Sequence, residues 1–327
     1  MTAAVESMAF SGETPWHGLG NKVSDNMTPD QMRKEAGLDW TVSKRPVYWQ
    51  PNGKNVLIKD KELLVRDSDD MPLCMVSPKY KPVQNDVAID FFKKFVKAGK
   101  MKMETAGSLW NGRYIWCLAR CNADFAIGKN DEVRSYLLLC QPHMIGRAMV
   151  IQFTPIRVVC WNTLTFALGH DLKGKGNAFR MSHATEFTDE VKEQAEQALG
   201  LAGEQVVEFK EAAILLSKKK APAPKVEEFF CDVLKFDPRD QDTKKKKDGT
   251  AQEPRMLPMF RQALTHAPGQ QIGSAMGTWW GALNAVTYVI DHQIGRQDRS
   301  TTLHNVWLGP KATQKRRALD LALKAAA

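Results

Sequence analysis

Residues 136–168 read YLLLCQPHMIGRAMVIQFTPIRVVCWNTLTFAL and constrain the fold more than any other stretch. Two short apolar runs, 136–140 and 148–153, have the length and composition of buried strands. A proline follows, and the spacing predicts a helix over 155–168. The start of that segment carries Arg157, Trp161, Asn162 and Thr163 in otherwise apolar surroundings. Buried polar groups are costly without partners. The cluster therefore needs either the protein's own hydrogen-bonding groups or a ligand.

The 327 residues suffice for one large domain or two ordinary ones, and 43% apolar content supports a real core. No apolar run approaches the roughly 18 residues of a membrane span. The N-terminus lacks the basic-then-apolar pattern of a secretion signal. The expectation is a cytoplasmic protein with no membrane partner. The six cysteines lie mostly in apolar runs and read as reduced core thiols. Cys117 and Cys121 are not joined by a second pair, so no zinc ligand set is expected.

The net charge of +9 is unevenly spread. Residues 186–217 hold eight acids against two lysines, a local −6 that leaves +15 for the remainder. The excess gathers at Lys218, Lys219, Lys220 and Lys225, at Lys244, Lys245, Lys246 and Lys247, and at Lys311, Lys315, Arg316 and Arg317. Lys173, Lys175 and Arg180 form a smaller group. Such segregation points to a polyanion, most often nucleic acid. A solvated surface is the plainer alternative.

Along the chain, residues 1–15 read as a loose arm. Thr28, Pro29 and Gln31 form a helix start with a capping box, and Gly37 ends that helix. Residues 40–50 and 56–66 form a hairpin around Pro51-Asn52-Gly53, followed by a short strand at 72–76. Asn85 is placed to cap a helix that ends at Gly99. Strands are expected at 109–120, 133–140 and 148–153. Residues 187–217 carry an apolar stripe from Val191 to Leu216 and read as a long helix. Residues 237–255 are Lys- and Asp-rich and read as a mobile loop. Helices follow at 226–236, 257–264, 277–292 and 311–326. The expected fold is α+β, with a mixed or antiparallel curved sheet, packing helices and a helical C-terminal part. The expected domains are a core at 1–217, a linker at 218–255, and a helical segment at 256–327 packed on the core.

Several motifs together resemble a phage- and plasmid-encoded family described as a domain of unknown function, DUF932. They are GETPWHGLG at 12–20, the Arg157-Val158-Val159-Cys160 run with Asn162, Thr163 and Leu164, the helix 284–292, and Trp307 with Gly309. Trp161 and the 244–247 lysines stand outside the pattern. The resemblance implies an accessory DNA-metabolism protein of a mobile element, acting in the cytoplasm of a bacterial host cell. It also implies a distant likeness to Rad52 or Red-beta type single-strand annealing proteins, which form rings around a basic groove.

A single-strand groove needs cations for phosphates and flat side chains for bases. The candidates are Arg147, Arg157, Lys173, Lys175, Arg180 and Lys244–Lys247, with Trp161 or Trp110 as stacking surfaces and Asn162 against a base edge. Arg157 can equally pair with a carboxylate or with backbone carbonyls. Asn162 and Thr163 can equally satisfy backbone groups, and Trp161 can equally be core. The seven histidines supply only His170-Asp171 and Asp291-His292 as adjacent pairs, with no Walker loop and no nucleophile elbow. The expectation is a non-enzymatic, single-strand-preferring DNA-binding protein that assists recombination or replication. It would form homo-oligomers and require no cofactor or metal. The alternatives are a structural or host-interaction protein of a mobile element, and a metal-dependent nuclease.

Overall fold

A computed structural model describes residues 5–12, 19–157, 162–163, 178–240, 251–294 and 308–327. The chain forms two compact units. One comprises residues 1–122, 136–153 and 171–202, and the other residues 123–135, 154–170 and 203–327. The fold is α+β with mixed sheets and a helical C-terminal segment.

The first unit is built on β1 (Val5–Phe10), β2 (Asn21–Lys22), β6 (Met101–Leu109), β7 (Tyr114–Cys121), β9 (Asp131–Pro142), β10 (Met149–Arg157) and β12 (Ala178–Met181). Their order is β10-β9-β7-β6-β1-β2, with β12 also on β10. β1 and β2 pair in parallel, whereas β1–β6, β6–β7, β7–β9 and β10–β12 are antiparallel. Side chains alternate across this sheet. Ile115, Cys117, Ala119, Leu137 and Leu139 join one buried core with Met32, Leu38 and Phe92. Tyr114, Trp116, Tyr136, Leu138 and Cys140 point the other way and are buried too. Burial suppresses the thiolate of Cys117 and pushes the Cys140 thiol up to about 12.

The arm expected over residues 1–15 is strand β1 at Val5–Phe10. Its backbone finds partners on β6, with Met8 opposite Gly107, so pairing to a distant strand overrides the weak local signal. Gly107 is needed there. A Cβ at that position would stand 2.3 Å from the Trp116 ring and 2.5 Å from the Ser7 carbonyl oxygen.

Helix α1 (Pro29–Glu35) has the full capping box, with Thr28 Oγ1 accepting from Gln31 N at 3.2 Å and Thr28 N donating to Gln31 Oε1 at 2.9 Å. A separate antiparallel sheet has order β3-β4-β5, from β3 (Val42–Trp49), β4 (Val56–Arg66) and β5 (Met71–Val76). Its hairpin turns through Pro51–Gly53, where Asn52 and Gly53 have positive φ. Arg66 is a fixed point of this unit. It donates to Glu6 at 2.7 Å and to both Asp69 oxygens, and its guanidinium lies 5.3 Å from the Trp40 ring centroid. The helix expected from Asn85 to Gly99 is two short ones, α2 (Asn85–Asp90) and α3 (Lys93–Lys97). Phe91 and Phe92 lie between the two helices and are both buried. Asn85 does not cap the helix. Its amide donates to the Leu38 and Trp40 carbonyls.

In the second unit, β8 (Phe125–Gly128) pairs with the first residues of β9, and β11 (Asn162–Thr163) pairs with the end of β10. The helix expected over 155–168 is therefore corrected. Residues 155–157 complete β10 and Asn162–Thr163 is strand, while 158–161 and 164–168 lie outside the described residues. The run begun at Met149 continues because Val, Ile, Phe and Thr are strand formers, and this outweighs the helix-start signal of Pro155. Helix α4 spans Asp189–Lys218. Helices α5 (Ala223–Leu234), α6 (Met256–His266), α7 (Trp279–Tyr288) and α8 (Pro310–Ala326) pack on one another. Trp279 and Trp280 are both buried in this unit. Trp279 meets Phe229 edge-on at 5.8 Å, and Trp280 Nε1 donates to Asp131 Oδ2 at 3.0 Å. The same carboxylate oxygen accepts from Ser274 Oγ at 2.5 Å.

Candidate nucleic-acid interface

The first unit brings two of the expected arginines to one aromatic residue. The β6–β7 turn runs through Trp110, Asn111 and Gly112, all with positive φ. A Cβ on Gly112 would meet an Arg66 nitrogen at 2.9 Å, so the turn is tight against a fixed group. The turn presents the Trp110 ring 5.4 Å from the Tyr114 ring. Arg147, in the β9–β10 connection, places its guanidinium 5.3 Å from the Trp110 centroid. Arg180 is exposed on β12, opposite Val150. Burial drives the Tyr114 phenol well above its ordinary range, while Arg147 and Arg180 both act in the opposite direction. Two cations thus share the neighbourhood of one tyrosine.

Beside Arg147 opens a cleft of about 370 Å³, lined by Ser77, Lys79, Tyr80, Arg147, Ser182 and His183 with the Met144–Gly146 turn. No carboxylate is among these lining residues. Lys79 is exposed, and Lys81 two residues on pairs with Glu186 at 3.0 Å. The wall is held by backbone. Lys81 N–H donates to the His183 carbonyl at 2.6 Å, and His183 Nδ1 bonds the Lys81 carbonyl at 3.1 Å. The Tyr80 ring stacks on His183 at 4.5 Å and 17°, and its hydroxyl donates to the Pro142 carbonyl.

Because His183 Nδ1 faces a carbonyl, it carries the proton, leaving Nε2 a lone-pair acceptor. That atom is buried and without a partner. His143 has the same arrangement. Its Nε2 donates to Asn85 Oδ1 at 2.8 Å, and its buried Nδ1 has no partner. Burial, then the neighbouring His183, lowers His143 to about 3. Burial also lowers His183. Both rings are neutral at physiological pH.

The other expected residues fall elsewhere. Arg157 and Asn162 sit opposite each other across the β10–β11 pair of the second unit. Trp161, Lys173, Lys175 and Lys244–Lys247 lie outside the described residues, as does His170-Asp171. The cluster of Lys311, Lys315, Arg316 and Arg317 is not one cationic face. Lys315 is buried against Asp291 at 2.8 Å, and Lys311 Nζ donates to the Ile294 carbonyl. The same ion pair occupies the acid of Asp291-His292. Among the described residues, no group of three or more His, Cys, Asp or Glu is placed to hold a metal. Among them, too, no helix is long and apolar enough to cross a membrane.

Lys79, Tyr80 and His183 did not stand out from the sequence. The signal was Pro78-Lys79-Tyr80-Lys81-Pro82, an aromatic between two lysines in a proline-fixed loop. A family model described as "Domain of unknown function (DUF932)" matches residues 72–315, which include the whole cleft. No curated protein and no solved structure matches the chain.

Proposed function

The chain belongs to the DUF932 family, and on that premise we propose that it is a single-strand-preferring DNA-binding protein of a phage or plasmid. It assists recombination or replication in the bacterial cytoplasm and hydrolyses no nucleotide. The observation that supports this reading is the Arg147 guanidinium over the Trp110 ring, with Arg180 nearby and a cleft beside it whose described lining residues include Lys79 and no carboxylate. Arginine engages phosphate, and an indole offers a face to any base. The test is binding and annealing of single-stranded and duplex oligonucleotides across salt concentrations, with and without magnesium. A several-fold preference for single strands that weakens steeply with salt is expected. Equal or absent binding to both removes the reading, and magnesium-dependent cutting replaces it with the nuclease alternative.

A second reading, self-association, is favoured by the β3–β4 hairpin. Tyr48 pairs with Leu57 and Trp49 with Val56, and all four side chains are exposed, Trp49 at 63%. A cluster of this kind marks an interaction surface. It fits a second copy of the chain, as annealing proteins act in rings. Sedimentation should show an oligomer that Trp49→Ser dissociates. A monomer at all concentrations would end this reading and leave the first intact.

A further inference from the structure

We propose that the β3–β4 hairpin tip of one copy of the chain docks on the outer face of helix α4 in a second copy. The inference rests on self-association through the hairpin and names the surface that receives it.

Nine large apolar side chains are exposed among the described residues. Four of them, Tyr48, Trp49, Val56 and Leu57, form two adjoining rungs of the hairpin. Met75, Ile145 and Met276 each come from a different segment of the chain. The remaining two, Val207 and Leu215, share helix α4. With exposed Glu211 between them they follow a row of every fourth residue, about 12 Å long. The helix does not need this row for its own packing. Its inward side carries Val206, Phe209, Ala213 and Leu216, all buried, and the Phe209 ring lies 6.2 Å from Phe125 and 6.4 Å from Trp280. An amphipathic helix with that stripe already covered should be polar outside.

Charge selects the occupant. Residues 47–59 hold Lys54 and Lys59, both exposed, and no acid. On α4, exposed Glu208 and Glu211 flank the Val207–Leu215 row, with Lys210 on its other border. Opposite charges around two apolar patches set the choice and register of partners. The glutamates repel a polyanion, so this face suits a cationic apolar protein surface, and the hairpin tip supplies both properties. The two patches are different segments, so the contact is heterologous. Each copy gives its hairpin to one neighbour and its helix to another, which builds a ring if the rotation closes and a filament if it does not.

The experiment follows the full chain by sedimentation velocity over a range of concentrations. Glu208→Lys/Glu211→Lys reverses the helix acids and Lys54→Glu/Lys59→Glu reverses the hairpin cations, all at exposed positions, so the melting temperature should hold. Each pair should weaken self-association by about tenfold or more. All four changes in one chain should restore most of it. A mixture of Trp49→Ser chains with Glu208→Lys/Glu211→Lys chains, each monomeric by itself, should form a one-to-one dimer, because one sound hairpin then meets one sound helix. The proposal is overturned if reversal of the helix acids leaves the oligomer intact, or if the mixture stays monomeric. Should Trp49→Ser alone still dissociate the oligomer, self-association stands and the hairpin meets another surface. A wild-type chain that is monomeric at every concentration ends both. Loss of oligonucleotide binding in Lys54→Glu/Lys59→Glu with unchanged sedimentation assigns the hairpin to nucleic acid and overturns the inference as well.

Discussion

Lys315 and His143 are both fully buried ionisable groups, and they meet the cost of burial in opposite ways. Lys315 keeps a partner, Asp291 Oδ1 at 2.8 Å, although burial lowers its pKa. Lys315→Ala strands a carboxylate in the interior and should cost about 3–5 kcal/mol, read from the denaturant midpoint. The double variant Lys315→Met/Asp291→Leu should recover most of that loss. His143 instead stays neutral, with a folded pKa of about 3 against about 6.5 for the unfolded chain. The unfolded state therefore takes up the proton first. Stability is whole above about pH 6.5 and falls toward pH 3, by up to about 1.4 kcal/mol per pH unit. His183, also lowered, acts in the same direction. Urea unfolding of His143→Phe between pH 7 and 4 should show a shallower acid limb than the wild type; an identical slope would assign the proton elsewhere. Neither role is legible in the sequence, where Lys315 groups with Lys311, Arg316 and Arg317 as neighbours in the chain. Yet it shares a buried helical stripe with Ala312, Leu319, Ala322 and Ala326, a spacing of three and four that marks an inward face.

Elements with strong local chemistry were legible, and those decided by distant partners were not. The Thr28–Gln31 box, the Pro51-Asn52-Gly53 turn and the long stripe of α4 each carry their instructions within a few residues. Strand β6 carries only a short local signal, Met101, Lys102 and Met103 alternating buried, exposed, buried. The 155–168 run reads as helix from sequence alone because a short apolar segment after a proline fits both periods. Contact between β6 and β7 decides Gly107, which no local rule singles out. Gly107→Ala drives a methyl into the Trp116 ring and the Ser7 backbone. A loss of about 1–3 kcal/mol is expected by thermal or chemical denaturation. A wild-type melting curve would show that β1 and β7 can separate at no cost.

For the whole molecule, the central question is where the surplus of positive charge lies. Of the expected site residues, Arg147 and Arg180 come together at Tyr114, and Arg157 and Asn162 form a separate pair. The arginines were legible because cations in apolar strand sequence demand an explanation. Lys79 and His183 were not, since they reach the cleft from loops about a hundred residues apart in sequence. Reversal of both Arg147 and Arg180 to Glu should weaken single-strand binding and reduce the slope of log affinity against log salt. At about 0.7 per lost phosphate contact, two contacts give a drop of about 1.4. An unchanged slope would move the phosphate track away from this face. The Cys117 and Cys140 thiols, enclosed in β7 and β9 with their ionisation suppressed, bear on the same scale. Alkylating reagents attack thiolates, so these two positions react only when the strands part. Their rate of modification in native buffer is thus an internal gauge of how often the first unit's sheet opens, readable by mass spectrometry without any engineered probe.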